Sequence, residues 1–383
     1  MSHALSNNLL NRISHQVKYF ESPQDALNKI INKTIIPYQV EFQPGRIKGK
    51  KICWLECSYC YGGSSSNSDE KLTPDRYVDL IGEVAKGPKN INGVKKVIYA
   101  GYATDPLNYE YIDDLVDESK KFNQIIGIHS KLIKISDRLI DILTDNKIQK
   151  TSYITISLDA GDNESYNKTH NLGIKSKIYD RVLNNVEKLV QNKKQNSSDI
   201  DISINYLVTL FNNESSLVEK AINDLVSIGV NSLRFSFPQL PRGMDSNNGF
   251  IIPNKAEVNA IYNNLINLIS KYNGQNGTSV VLNDFDNENN ISDFRTMPCF
   301  ARFIYPAVAY DGYLSHCSQS GAIHFRDMSL GNLQNNNFWD LFYNYDEKNI
   351  KSFLSKDFVK MKKNDCRCDR KEHIVNSSFK NII

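Results

Sequence analysis

A chain of 383 residues with 46 Lys and Arg against 43 Asp and Glu carries a formal charge of only +3. Its 40% hydrophobic and 23% charged residues are ordinary for a folded globular protein, and no Lys/Arg-rich run or basic–aromatic stripe points to nucleic acid or a membrane surface. No apolar run approaches the roughly 18 residues of a spanning helix and the N-terminus lacks an apolar signal core, so a cytoplasmic protein is expected. Seven cysteines, an odd number with three crowded into one segment, argue for reduced thiols serving metal rather than a disulfide framework.

In chain order, residues 1–36 are polar with scattered apolar positions (Leu9, Leu10, Ile13, Val17, Phe20) and read as a short helical extension or arm. Val40-Glu41-Phe42 is a first strand, followed by a turn-rich segment, the three clustered cysteines, Gly62-Gly63 and an open loop over Ser64 to Ser68. Thr73-Pro74 supplies an N-cap and a first-turn proline for a helix with Tyr77, Leu80, Ile81 and Val84 on one face. Val97 to Gly101 is a buried strand, with a helix near Ile112–Phe122 and another strand at Ile125–Ile128. Ser136 caps a helix that turns Leu139, Ile140 and Leu143 inward. Tyr153–Leu158 is a strand, and Ile178, Val182, Val186 and Leu189 stripe the next helix, which a polar stretch at Gln191–Ser198 interrupts. Ile202, Ile204, Tyr206 and Val208 alternate as a strand, a helix through Leu217, Ala221, Ile222 and Leu225 stops at Gly229, and Leu233–Phe237 is the sixth strand.

Six strands alternating with helices predict parallel β-α units with right-handed crossovers and active residues at the C-terminal strand edge. The expected fold is α/β, a partial (β/α)6 TIM-like barrel with a small C-terminal α+β domain. The boundaries are an extension over 1–36, the barrel over 37–245, a connecting helical segment over 246–296 and a cysteine-bearing domain over 297–383. The connecting segment holds a helix through Val258, Ile261, Leu265, Leu268 and Ile269 and a strand at Ser279–Leu282.

Cys53, Cys57 and Cys60 stand in Ile-Cys-Trp-Leu-Glu-Cys-Ser-Tyr-Cys-Tyr-Gly-Gly. Thiols at C-x3-C-x2-C spacing can grip one face of a cuboidal [4Fe–4S] cluster; because full protein ligation takes four thiolates, one iron is left open. An open iron on a reducible cluster is a place to bind and activate a ligand. Zinc is the poorer fit, since it takes spaced Cys pairs with a complementary pair elsewhere.

On these residues, positions 36–240 resemble the radical S-adenosylmethionine (SAM) superfamily, and Tyr59 matches its aromatic position before the third cysteine. The resemblance implies that the open iron binds the amino and carboxylate groups of SAM. One electron then cleaves SAM to methionine and a 5′-deoxyadenosyl radical that abstracts hydrogen from substrate. An electron donor such as a flavodoxin or ferredoxin is implied as partner. Gly101, Asp105 and Pro106, in Ala-Gly-Tyr-Ala-Thr-Asp-Pro, resemble the family's Gly-Gly-Glu-Pro-like segment for the SAM amino group, although Tyr102 and Ala103 replace the glycine pair. Ser157 and Asp159 resemble its SAM-ribose contacts, the alternative being capping of the next helix. Asn205 resembles a further polar SAM-binding position, or it bonds neighbouring backbone. His129, Ser130 and Lys131 close the third strand toward the pocket.

The other four thiols are Cys299, Cys317, Cys366 and Cys368. The first two form C-x12-G-x4-C, with Gly312 in Tyr-Asp-Gly-Tyr expected to turn a hairpin that returns Cys317 beside Cys299. This resembles the SPASM/twitch extension of radical SAM enzymes, and the resemblance implies an auxiliary [4Fe–4S] cluster. The closing Cys366-Arg367-Cys368 is tighter than the usual C-x2-C, with His373 a substitute ligand to weigh.

Three thiols plus four use every cysteine, so none is left to return hydrogen to a substrate radical. A net two-electron oxidation or bond formation is therefore expected, with a tyrosine donor as the alternative. The first 36 residues are short for a leader-binding module, which favours a small polar substrate of sugar, aminocyclitol or nucleoside type. The alternative is a ribosomally made peptide.

Overall fold

The structure is a computed structural model that describes residues 22–45, 55, 57, 59–60, 72–88, 91–101, 105–237, 255–282, 298–364, 366, 368 and 370–379. The expected features at residues 1–21, Cys53, Gly62 to Ser68, Tyr102 and Ala103, and 246–254 lie outside them. The chain divides into two compact units that interleave in sequence: one of residues 1–6, 53–63 and 127–286, the other of residues 7–52, 64–126 and 287–383.

In chain order, α1 (Pro23–Ile31), β1 (Val40–Phe42), α2 (Pro74–Lys86), β2 (Lys96–Tyr99) and α3 (Ile112–Lys121) come first. Then β3 (Ile125–Ser130) carries the chain from the second unit into the first. There follow α4 (Asp137–Leu143), β4 (Tyr153–Ser157), α5 (Asn163–Thr169), α6 (Ile178–Gln195), β5 (Asp201–Leu207), α7 (Ser215–Ile228), β6 (Ser232–Ser236), α8 (Lys255–Tyr272) and β7 (Ser279–Leu282). The remainder holds β8 (Ala307–Val308), β9 (Tyr313–Ser315), β10 (Gly331–Asn332), α9 (Phe338–Phe342), α10 (Ile350–Lys363) and α11 (Arg370–Ser378).

Local signals account for most of these boundaries. Thr73 Oγ1 accepts from Arg76 N and Ser136 Oγ from Leu139 N, the capping bonds expected of those residues. Gly229 closes α7 in the left-handed region at φ 88°, where a Cβ would be strained. Helix α6 does not stop at the polar stretch after Gln191 but runs to Gln195. Its inward stripe already includes Leu189 and Val190, and the polar residues beyond extend the solvent face.

In the first unit, β3 to β7 pair successively in parallel, in sequence order. One sheet face buries Ile154, Ile156, Ile202, Ile204, Tyr206, Leu233 and Phe235 completely. The opposite face is polar and open, as alternation along a strand dictates: Thr155, Ser157, Asn205 and Arg234 are only partly buried.

In the second unit, β1 pairs in parallel with both β2 and β8, and β8–β9–β10 continue antiparallel. The expected hairpin lies between β8 and β9. Ala309 O accepts from Gly312 N and Ala309 N donates to Tyr313 O, leaving a three-residue loop that ends on Gly312 at φ 85°. Helix α9 docks on α2 through polar contacts as well as packing. The Trp339 indole donates to Glu83 O at 2.8 Å, Phe338 N donates to Glu83 Oε2, and Arg76 holds Glu83 Oε1 at 2.6 Å.

Candidate functional site

The described part of the first cysteine loop is a tight turn, in which Cys60 N donates to Cys57 O at 3.0 Å. Cys57 is half-buried and Cys60 exposed. Tyr59, between them, is directed into the first unit, and its hydroxyl enters a buried cluster formed with Lys131 after β3, Asp159 after β4 and His170 after α5. The phenol donates to Asp159 Oδ2 at 2.5 Å. The Lys131 ammonium has three N–H donors and three acceptors: Asp159 Oδ2 at 2.5 Å, Tyr59 Oη at 2.7 Å and His170 Nε2 at 3.0 Å. The Lys131 Nζ also sits 5.3 Å from the centre of the Tyr59 ring.

Electrostatics agree with this assignment of protons. Burial pushes the His170 imidazole down to about 3, helped by the Lys131 charge. The ring is therefore neutral; Nδ1–H donates to Tyr166 O at 2.8 Å and Nε2 is left as acceptor. Burial opposes the charge on Asp159, but the Lys131 ammonium, with the Leu207 N–H bond in support, outweighs it and holds the carboxyl below its usual range. Burial opposes the charge on Lys131 too, and Asp159, then Cys57, override it to raise the ammonium. Tyr59 is held neutral, pushed well up by burial and by Asp159.

Asp159 is fully buried and adopts φ 53°, a left-handed conformation that Asp tolerates better than most residues. Three further bonds fix it: Leu207 N donates to Oδ1 at 2.7 Å, and Asn212 Nδ2 reaches both Asp159 O and Leu207 O. The carboxylate expected at a SAM ribose is thus engaged with the protein on both oxygens. Ser157 and Asn205 lie differently: they are register partners on the open face of β4 and β5, and Asn205 is in turn opposite Arg234 of β6. His129 is exposed and bonds Tyr153 Oη at 3.0 Å, whereas Ser130 is buried and its Oγ accepts from Leu132 N.

Gly101, Asp105 and Pro106 belong to the second unit. Asp105 Oδ1 accepts from Leu107 N at 3.0 Å and caps the short turn Pro106–Asn108, so the Asp-Pro pair does serve as a turn signal.

The C-terminal cysteines also lie in the second unit. Cys299, Cys317 and Cys366 are buried and Cys368 half-buried, and none of the six described cysteines is in a disulfide. Burial pushes the Cys317 thiol well up, and the charges of Glu372, Cys366 and Cys299 add to the effect. Asn376 of α11 connects this site to its supports. Its Oδ1 accepts from Phe300 N at 2.7 Å and Ala301 N at 3.0 Å, next to Cys299, while its Nδ2 donates to Cys368 Sγ at 3.2 Å. Cys366 N donates to Met361 O at the end of α10, and the Cys317 backbone N–H donates to Ser320 Oγ. His373 on α11 is half-buried.

Among the described residues no three His, Cys, Asp or Glu side chains gather as they would around a single metal ion. Thiolates of a cubane need not gather so, because each ligates a different iron. Described cysteines that are not joined in disulfides have the donor chemistry that [4Fe–4S] clusters require.

Residues 48–234 match the family model of the radical SAM superfamily. The chain carries a radical SAM domain. Its cofactors are therefore those of the superfamily, a [4Fe–4S] cluster and SAM. No curated protein matches the chain in sequence. Among solved structures, Streptococcus suis SuiB bound to S-adenosylmethionine is 14% identical and covers 85% of this chain and 71% of its own, with a TM-score of 0.59. SuiB bound to its precursor peptide SuiA is similar at a TM-score of 0.58, 14% identity and coverage of 86% and 70%. The protein anSMEcpe with bound AdoMet and Cp18Cys peptide is 18% identical over 84% of this chain and 83% of that one, with a TM-score of 0.55. At such identities the likeness is one of fold, and it supports the α/β partial-barrel expectation for the radical SAM domain. Among the described residues no helix is long and apolar enough to cross a membrane.

Sequence reasoning did not single out His170, Glu372 or Asn376. The bonds that give them meaning link residues far apart in the chain, such as Tyr59 with His170 and Phe300 with Asn376. No local pattern marks them.

Proposed function

We propose that this chain is a radical SAM enzyme that oxidises a peptide substrate, with Cys53, Cys57 and Cys60 holding the SAM-binding cluster and Cys299, Cys317, Cys366 and Cys368 an auxiliary one. The observation that carries the reading is the Cys57–Cys60 turn, which lies within the matched domain and is anchored through Tyr59 on a buried cluster of side chains. When bound, the two clusters and SAM would supply the initiating electron, the hydrogen-abstracting group and an acceptor for the substrate's second electron.

The chain's own residues would do the rest. Ser157, Asn205 and Arg234, in register across the open face of β4, β5 and β6, would present hydroxyl, amide and guanidinium groups to SAM or substrate. The expectation of a small polar substrate rested on the short N-terminal segment. It yields here to the peptide reading, because anSMEcpe, matched over most of both chains, carries a peptide in its solved complex. All seven cysteines are assigned to clusters, which leaves no thiol to return hydrogen and favours oxidation.

The test is anaerobic reconstitution followed by reduction in the presence of SAM. About eight irons with matching sulfide, 5′-deoxyadenosine formation and its loss in Cys57→Ala are expected. Synthetic peptides encoded by reading frames beside the gene should raise 5′-deoxyadenosine output and emerge two hydrogens lighter. A product with deuterium from solvent at the abstracted carbon and no mass loss would refute the oxidation, and zinc without sulfide would refute the enzyme.

A further inference from the structure

The Lys131–Asp159 pair is more than a fastening for the cysteine turn. We propose that it sets the reduction potential of the SAM-binding cluster, with Tyr59 as the positioning residue that holds the turn at a fixed distance from the pair. The inference rests on the proposed ligation by Cys53, Cys57 and Cys60.

The geometry is of two opposite charges in contact, Lys131 Nζ to Asp159 Oδ2 at 2.5 Å, with side chains 15% and 0% exposed. Buried charges are weakly screened, and cluster potentials respond to net charge and hydrogen bonding nearby. The two ends of the pair are not equivalent. The Lys131 ammonium lies over the ring of Tyr59, the residue between Cys57 and Cys60, at 5.3 Å from its centre, whereas the carboxylate turns its other oxygen to Leu207 N of β5. The cation lies over the residue that links the two cysteines and so favours the cluster state with the extra electron. The anion behind it limits that effect.

The remaining partners keep the pair in this order. His170 offers only a lone pair to Lys131, because its other nitrogen is committed to Tyr166 O. The His170 ring is stacked 4.0 Å from Tyr166 and cannot easily turn. Tyr59 accepts from Lys131 and donates to Asp159, so one hydroxyl ties the loop to both charges.

Shifts of opposite sign follow. Lys131→Met removes the nearer cation and should lower the midpoint potential; Asp159→Asn removes the anion and should raise it. Each shift should be at least tenfold in the one-electron equilibrium, about 59 mV. Lys131→Arg keeps the charge and should stay near wild type. Tyr59→Phe keeps both charges and should lose cluster occupancy rather than move the potential in either direction.

The measurement is a redox titration of the full-length reconstituted protein, followed by EPR on the signal that changes when SAM is added. That choice separates this cluster from an auxiliary one. Absence of any SAM-sensitive signal in wild type would overturn the proposed function. A SAM-sensitive signal whose midpoint moves the same way in both charge variants, or in neither, would overturn the inference alone. Asp159→Asn that weakens SAM binding at unchanged potential would also overturn it and return Asp159 to the ribose role. Should either single variant lose its cluster, Lys131→Arg and the double variant Lys131→Met/Asp159→Asn decide. Near-wild-type potentials in both support the pair, and a large shift in Lys131→Arg overturns it.

Discussion

Asn376→Ala is the most decisive perturbation of the C-terminal site. Asn376 is 2% exposed, and its Oδ1 is the acceptor for two consecutive backbone N–H groups, Phe300 and Ala301, at the start of a 3-10 turn. Those donors are among the orphans that every helix start leaves, and no preceding turn supplies a carbonyl for them. Removing the carboxamide strands both in a buried place. Each unsatisfied buried donor costs about 1–3 kcal/mol, so a net loss of about 2–4 kcal/mol is expected after local relaxation. For a cooperative unit of about 150–250 residues that corresponds to a fall in Tm of about 4–16 °C. Asn376→Asp separates the two functions of the side chain. It keeps an acceptor for Phe300 and Ala301 but loses the donor to Cys368 Sγ. The variant should therefore recover most of the stability while losing auxiliary iron, since the hydrogen bond to sulfur is replaced by a like charge. Thermal unfolding by circular dichroism with iron and sulfide counts on the same samples reads both effects. An Asn376→Ala protein that melts within about 1 °C of wild type would refute the accounting.

Three other outcomes are expected. Gly161→Ala would place a Cβ 2.1 Å from Leu217 O, a backbone atom that cannot swing away, so urea unfolding should show a loss of about 2 kcal/mol or more; an unchanged midpoint would refute it. Asp357 lies between buried Arg302 at 3.0 Å and His316 at 3.1 Å. Burial opposes its charge, yet His316 and then Arg302 hold its carboxyl far below the usual range. A depressed folded-state value means the stabilisation is complete above about pH 4 and is lost as pH falls. Asp357→Asn should cost about 3–5 kcal/mol at pH 7 by leaving Arg302 unpaired, and its stability should depend less on pH below 4 than that of wild type; parallel acid-unfolding curves would refute this. Finally, Asn205→Ala and Ser157→Ala on the open face should each weaken SAM binding by about tenfold, the equivalent of one hydrogen bond, without altering urea stability by more than about 0.5 kcal/mol. Calorimetric titration of SAM into reduced protein checks it, and unchanged affinity would remove both residues from the site.

Much of the fold is legible where the signal is local. Thr73-Pro74, Ser136, Gly229 and Gly312 announce their caps and turn because a side-chain oxygen, a fixed φ or a missing Cβ acts within a few residues. The alternating apolar positions of β4 to β6 are equally direct. Helix α5 escapes notice because Asn-Glu-Ser-Tyr-Asn-Lys-Thr has no apolar stripe; a capping box between Asp162 and Ser165 holds it instead. Helices α10 and α11 are hidden for a similar reason, being Lys- and polar-rich around a few buried positions such as Leu354, Met361 and Val375. The cysteine triplet points to its chemistry by spacing alone. What Asp159 does is not legible: its short sequence context fits a ligand contact, while the bonds that occupy it come from Tyr59, Lys131 and Leu207.

The two faces of the β3–β7 sheet also differ in how much change they can absorb. On the apolar face Ile154, Ile156, Ile202, Ile204, Tyr206, Leu233 and Phe235 are fully buried, and a change of one methylene there is felt by its neighbours. Thr155 and Arg234 across the sheet are only partly buried and carry less of that packing, so substitutions there cost the scaffold less. A scaffold of this kind absorbs change on one face of its sheet long before it absorbs it on the other.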